Sequence, residues 1–355
     1  MAPVVQLEPL RNAVIALSGA IVLLSLVLVI HRAVAALTAA RDQRRETLLT
    51  RLVYRSMQGG NDSSPDKDML SRLNRRRVRV ILLRLALDLR GESGEAIAGL
   101  YAHLGFLKAD LKRLRSRWAS VRANAVADLG LVRAEAALPA LLEGLDDSDD
   151  RVRQAAVWAV GQVAGQQTLS ALVRLLGDPD RIVARRAEEV LAERGRDAKD
   201  AILTYARKTS TRTGRVAAIE LIGWLRIVEG ADLLLEFMDD LDFEVRVKSV
   251  KAAAAIGDPR FIPALNQRLT DSRWEVRCQA AKGLSLFGSP ESVSRLEAAM
   301  RDEQWWVRFY AATALAEAGQ TGADALLTAM LDPRPDVRTM ARYLLERGEA
   351  VPALP

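Results

Sequence analysis

The sequence predicts an all-α chain: an α-solenoid of about eight helical hairpins, preceded by a transmembrane helix and a helical cap. Three observations carry this reading. A Val-Arg pair recurs with a period of 31 residues through the C-terminal two thirds. Residues 13–30 contain no charged side chain. Ala, Leu, Val and Arg dominate a chain with only 5% aromatic residues, a balance that suits helices better than sheets.

The elements follow in chain order. Residues 1–32 comprise a short N-terminus and the predicted transmembrane helix. The eighteen uncharged residues 13–30 would span ~27 Å at ~1.5 Å per residue, close to a hydrocarbon core of ~30 Å. A cleaved signal peptide is the competing reading, but the apolar run is long, and Arg41, Arg44 and Arg45 would resist export. Arg32, Arg41, Arg44, Arg45, Arg51 and Arg55 all follow the run, against Arg11 and Glu8 before it. The positive-inside rule then predicts a single-pass inner-membrane protein with its N-terminus outside and its solenoid in the cytoplasm. The same six arginines are candidate contacts to anionic lipid, the alternative being a solvated helix whose arginines only set topology.

Residues 33–64 read as a juxtamembrane basic helix and a polar linker, Gly59-Gly60-Asn61-Asp62-Ser63-Ser64. Residues 65–115 read as a helical N-terminal cap. Pro65 suits its first turn with Ser64 as the capping residue, and Arg75, Arg76, Arg77 and Arg79 form a second basic run within it. Residues 1–120 carry a net charge of +10 and the remainder −4. A nucleic-acid-binding solenoid would place its basic excess along the repeats, so no nucleic acid partner is expected.

Residues 116–355 are the predicted solenoid. The repeats start at Val121, Val152, Val183, Gly214, Val245, Val276, Val307 and Val337. Arginine follows directly in seven of them; in the third, Ala184 intervenes and Arg185 comes one place late. Four residues after each start stand Ala125, Ala156, Ala187, Ala218, Ser249, Ala280, Ala311 and Ala341. Eight residues after stand Leu129, Val160, Leu191, Ile222, Ala253, Leu284, Leu315 and Leu345. These columns lie on one helical stripe, the core face of a first helix. Asp147, Asp178, Asp240, Asp271, Asp302 and Asp332 precede the starts by five residues. An aspartate there can cap the helix, and the arginine can bridge to a neighbouring turn. A second apolar helix follows each first one, and only stacking buries both faces.

The Asp, Val-Arg, Ala and Leu columns resemble the HEAT-repeat family, especially the short bacterial repeats associated with phycobilin lyases. The resemblance covers residues 116–355. It implies an α-solenoid of HEAT-like hairpins and speaks to fold rather than function, because the columns are packing positions. The layout of one N-terminal span, a basic cap and short repeats also resembles bacterial proteins found alongside membrane glycosyltransferases of polysaccharide assembly.

Chemistry is scarce. His31 and His103 are the only histidines, and neither is followed by glutamate as in HEAT-like di-iron hydroxylases. Zinc ligands, a Gly-rich phosphate loop and a promising catalytic base are missing. Asp146-Asp147-Ser148-Asp149-Asp150 lacks the glycine and distal glutamate of an EF-hand, and reads as a solvated turn. Cys278 reads as a structural thiol. No catalytic, cofactor-binding or metal residue is therefore expected.

The candidate partner-binding residues are Trp118, Trp274, Arg277, Trp305, Trp306 and Arg308, because tryptophan and arginine at the turns entering first helices suit binding hot spots. The competing reading packs each indole on the preceding repeat. Residues 208–214 replace the usual aspartate and valine with a polar loop, either a hinge, a binding loop or drift in an exposed turn. Val351-Pro352-Ala353-Leu354-Pro355 starts like a second helix and stops. The expected function is a membrane-tethered, non-catalytic protein-interaction scaffold at the cytoplasmic face, such as an accessory subunit of a polysaccharide glycosyltransferase. The alternative is a phycobilin-lyase-like enzyme or a chromophore-binding HEAT protein.

Overall fold

The computed structural model describes residues 73–346 except 164, together with 24, 27–29, 31–32, 47–56 and 70–71. It is helical with short connecting segments; there is no strand among the described residues. The chain divides into two compact units, 1–109 and 110–355.

In the first unit, a helix over 47–56 is followed by helices Arg75–Asp88 and Gly91–His103. Their core comprises Val78, Ile81, Leu82, Ile97, Leu100 and Tyr101. Asn74 caps the Arg75–Asp88 helix, accepting from the Arg77 N–H at 3.3 Å. Arg75 donates to the Leu104 carbonyl at 2.8 Å and lies over the Phe106 ring.

The expected membrane placement is corrected here. Among the described residues no helix is long and apolar enough to cross a membrane. The described helix over 47–56 would span only ~15 Å and carries Arg51 and Arg55. Most of the uncharged run 13–30 lies outside the described residues, as do Arg41, Arg44 and Arg45. Arg32, Arg51 and Arg55 are exposed. The single-pass inner-membrane localisation is therefore not supported.

The second unit stacks repeats, each with a first helix (A) and a second helix (B). The A helices of repeats one to eight are Ala119–Val132, Asp150–Gln162, Arg181–Arg194, Arg212–Trp224, Phe243–Ile256, Trp274–Ser285, Trp305–Glu317 and Pro335–Glu346. The B helices of repeats one to seven are Leu138–Gly144, Gln166–Leu172, Lys199–Lys208, Ala231–Phe237, Ile262–Arg268, Val293–Ala299 and Gly319–Ala329. The alanine column is fully buried in every repeat; in repeat five its Ser249 donates to the Val245 carbonyl at 2.8 Å. Leu345 differs from its column: it is half-buried where the described stack ends, while Leu344 is buried.

Close approach explains some glycines. A Cβ on Gly223 would lie 2.8 Å from Ala252 Cα, and one on Gly130 would lie 2.7 Å from Ala159 Cα, each on the next A helix. Twelve residues after the starts, Arg133, Gly195, Arg226, Gly257, Gly288 and Gly319 have φ of 52°, 58°, 51°, 74°, 53° and 69°. This positive-φ turn follows six of the A helices, and glycine adopts it without the strain of a Cβ. Arg226 offsets its strain by donating to the Ala255 carbonyl at 2.7 Å.

Arginine–aspartate rungs latch repeat to repeat. Arg246 donates to the Asp271 carboxylate through Nε and Nη2, both at 2.9 Å, and through Nη1 to its own repeat's Asp240 carbonyl at 2.9 Å. Arg122–Asp147, Arg153–Asp178 and Arg277–Asp302 repeat the arrangement, and Arg215 reaches Asp240 by a single bond from Nη1 at 2.7 Å. The arginine bridge thus follows the sequence expectation, whereas the aspartate does not cap the helix as such. It accepts from the backbone N–H two residues on, and the capping bond in repeats two, three and five falls to Asp149, Asp180 and Asp242.

The rung fails in two places. Between repeats three and four both partners are replaced, by Ala184 and Thr209. There the A helix of repeat four packs on Val173–Gly177 and makes slight contact with that of repeat three. Between repeats seven and eight the start-to-start interval is 30, and Asp332 takes Arg301 at 2.8 Å instead of Arg308.

Candidate partner-binding surface

The aromatic surface of the solenoid is placed by helix entry. Trp305 opens the A helix of repeat seven, behind a turn that Asp302 fixes by accepting from the Gln304 N–H at 2.8 Å. One helical turn on, Phe309 lies parallel to Trp305, with centroids 5.1 Å apart and an angle of 11°. Trp306 and Tyr310 pair similarly at 6.2 Å, and the two indoles meet edge to face at 4.7 Å. Residues four apart on a helix are neighbours, so the Trp-Trp-x-x-Phe-Tyr order builds a four-ring cluster. Lys282 of repeat six stands over Tyr310 at 5.4 Å. Trp305 and Trp306 remain 48% and 47% exposed.

Beside Trp305 and Phe309 lies a groove of about 560 Å³, walled on the far side by Pro335, Thr339, Met340 and Tyr343. Arg308 and Asp336 border it, 3.4 Å apart. Arg308 also donates to the Asp302 and Glu303 carbonyls at 2.8 and 2.9 Å. The Asp336 carboxyl is held below the usual carboxylate range, first by its hydrogen bond with Arg334. Trp274 opens the A helix of repeat six and is 36% exposed. Trp118 precedes the A helix of repeat one, with Arg117 over its ring at 4.7 Å.

The structure therefore gathers Trp305, Trp306 and Arg308, and puts Trp274 at the equivalent position one repeat away. Trp118 is remote from them, in repeat one. Arg277 is committed to its rung with Asp302, at 2.6 Å, which together with that carboxylate's charge holds its guanidinium firmly protonated. Sequence reasoning missed Phe243, Phe309 and Tyr343. The signal for Phe243 was present: it stands two residues before a repeat start, as Trp274 and Trp305 do.

A second concavity of about 420 Å³ opens between the A helices of repeats three and four, where the rung is missing. Glu188, Glu189, Glu193 and Glu220 line it beside an exposed Trp224. Arg185, freed from the rung column, pairs with Glu189 at 3.2 Å. Burial, and then the charge of Glu220, push the Glu188 carboxyl up.

Among the described residues no group of three or more His, Cys, Asp or Glu side chains could hold a metal ion. In the acidic turn, Asp146, Asp147 and Asp149 pair with Arg174, Arg122 and Arg151.

Residues 108–192, 200–273 and 262–346 match HEAT repeats, which is more than half of the chain. The chain belongs to the HEAT-repeat family. No curated protein matches it. Among solved structures, an engineered protein is similar over 85% of this chain and 99% of its own, at 17% identity and a TM-score of 0.40. A Kap121p mutant is similar over 83% of this HEAT-repeat chain and 40% of its own, at 13% identity and a TM-score of 0.50. The complex of CpcE and CpcF of phycocyanin lyase from Nostoc sp. PCC7120 is similar over 67% of this chain and 94% of that one, at 19% identity and a TM-score of 0.31. At such identities the likeness concerns fold alone.

Proposed function

We propose that this HEAT-repeat chain is a non-catalytic scaffold that binds protein partners along its solenoid. The observation that carries the reading is the cluster of exposed Trp305 and Trp306 with half-buried Phe309 and Tyr310 beside an open groove. Large rigid rings flanked by arginine offer contact area at low conformational cost, which is what protein interfaces concentrate at their hot spots. The polar groups at that groove, Arg308 and Asp336, face each other rather than an open reaction position.

The test is tandem affinity purification of the full chain beside a Trp305→Ala/Trp306→Ala variant, with mass spectrometry of retained proteins. The expected result is a stoichiometric partner that the double variant loses while its helical circular dichroism is unchanged. Retention of no protein by the wild-type chain, or of the same set by both, would overturn the proposal.

A further inference from the structure

The scaffold reading does not say which side chain of a partner the aromatic groove takes; the following rests on that reading and deepens it. In repeats one, two, four, five and six, the arginine after the repeat start hydrogen-bonds to an aspartate 25 residues later. Four of these arginines hold the carboxylate through both Nε and Nη2, at 2.6–3.0 Å. The interval from repeat seven to repeat eight is 30 residues, so the residue 25 places after Arg308 is Pro333. Asp332 comes one place early and accepts from Arg301 at 2.8 Å. Arg308 is thus a rung arginine without its aspartate.

The rest of its setting is that of the other rungs. Nη1 donates to the Asp302 and Glu303 carbonyls at 2.8 and 2.9 Å, as Arg246 and Arg277 do to theirs. Nε is buried and makes no hydrogen bond, and Nη2 makes none among the described residues. Asp336 Oδ2 lies 3.4 Å from Nε, but Arg334 donates to both oxygens of that carboxylate, at 2.7 and 3.2 Å. The carboxylates of Asp302 and Glu303 turn to Arg277, at 2.6 and 3.4 Å. Every nearby carboxylate is therefore held by another arginine. Arg215 also leaves its Nε unpaired, but it keeps the Asp240 carboxylate through Nη1 at 2.7 Å.

An unpaired buried donor costs stability, and the planar arginine fork matches a carboxylate with two parallel bonds. The open fork of Arg308 lines the groove of about 560 Å³ whose apolar walls include Trp305, Phe309, Met340 and Tyr343. Trp305 and Tyr343 are 48% and 42% exposed, so these walls are open to a ligand. One unmatched fork among apolar walls suits a carboxylate carried beside a large apolar side chain. The occupant has four precedents in the same column of this molecule, each an aspartate held by the same two nitrogens. We infer that Arg308 and its groove are a docking site for a segment of a partner protein in which an aspartate or glutamate adjoins a large apolar residue, the carboxylate taking the place of the missing rung aspartate.

The experiment selects twelve-residue peptides from a random phage-displayed library on the full chain, then measures the best binder by fluorescence anisotropy. The selected peptides are expected to share an acidic residue next to a large apolar one. Amidation of that acid, as Asn or Gln, should weaken binding about 10-fold or more, and so should Arg308→Lys, which keeps the charge and loses the fork. Asp336→Asn leaves Arg308 in place and removes the carboxylate that an incoming one must approach, so it should tighten binding; this variant stands in should Arg308→Lys lose its helical circular dichroism. Trp118→Ala should change nothing. A selection that yields no binder, peptides without an acidic residue, or equal binding to wild type and a folded Arg308→Lys would overturn the proposal. Residues 347–355 include Glu349. If their deletion tightens peptide binding about 10-fold or more, the chain's own carboxylate is the occupant and the assignment to a partner falls. A partner in the tandem purification that Arg308→Lys retains and Trp305→Ala/Trp306→Ala loses sinks the carboxylate site and leaves the scaffold reading standing.

Discussion

The rung between repeats five and six gives a measurable test of what holds the stack. Replacing Asp271 with Asn keeps the side-chain size but removes the charge and one of two acceptor oxygens. In the folded chain those oxygens accept from Arg246 Nε, Arg246 Nη2 and the Arg273 N–H, all at 2.9 Å. The Arg246 and Asp271 side chains are 12% and 5% exposed, so water replaces little of what is lost. Breaking a buried pair costs ~3–5 kcal/mol. Arg246 keeps its bond to the Asp240 carbonyl and some contact with solvent, so Asp271→Asn is expected to destabilise by about 2–3 kcal/mol. In urea that is a fall of about 1 M in midpoint, for a slope of ~1–3 kcal/mol/M. Hydrogen exchange should accelerate in Phe243–Ile256 and Trp274–Ser285 before the other A helices. The control is Asp146→Asn, whose partner Arg174 is 3.2 Å away with both side chains more than half exposed. An exposed pair is worth ~0–1 kcal/mol, so the control should barely move. A loss at Asp271 no larger than at Asp146 would refute the account of the rungs as the latches of the stack.

Three further outcomes follow from the same geometry. Gly223→Val places a branched side chain where even a Cβ lies 2.8 Å from Ala252 Cα, and should cost at least ~1–3 kcal/mol in urea unfolding; a midpoint unchanged from wild type would show that the A helices of repeats four and five separate freely. The Asp147 carboxyl is held below its usual range, chiefly by its hydrogen bonds with Arg122, and Asp149 is lowered to about 2 by Arg151. A lowered folded pKa stabilises above the unfolded value of ~3.9 and the effect is lost as pH falls through the folded value, so the melting temperature should hold from pH 7 to about 5 and drop below about 4; an acid transition centred above pH 5 would contradict this. Burial pushes the Cys278 thiol up to about 11, so a thiol reagent at pH 8 should label it only after unfolding, and rapid labelling of the native chain would disprove its burial.

Much of the fold was legible because each structural demand recurs. The space at Ala125, Ala156 and Ala187 is the same space, so a small residue appears there every 31 positions. The left-handed turn was harder to see, since Arg133 and Arg226 occupy it where Gly257 and Gly288 mark it openly. The aspartate column was misassigned in role: a cap and a latch both favour Asp before a helix, and only coordinates separate Asp147 from Asp149. The candidate surface was half legible. Trp274, Trp305 and Trp306 stood out by rarity, whereas Phe243 and Tyr343 depend on which residues the repeats bring alongside. The apolar run near the N-terminus suggested a span by length and charge, yet the described helix that follows is short and carries arginines.

The missing rung between repeats three and four has a mechanical consequence. A load applied to the two ends of a linear stack passes through every junction in series, so the weakest junction yields first. Here the junction without a rung has Ala184 and Thr209 in its place, and is held by the repeat-four A helix on Val173–Gly177 and by Lys199–Glu229 at 2.8 Å. Repeats one to three would swing as one block against repeats four to eight, widening the cleft beside Trp224. The Phe243, Trp274 and Trp305 column lies wholly within the second block, spanned by the Arg246–Asp271 and Arg277–Asp302 rungs, and so keeps its pitch while the solenoid as a whole stretches.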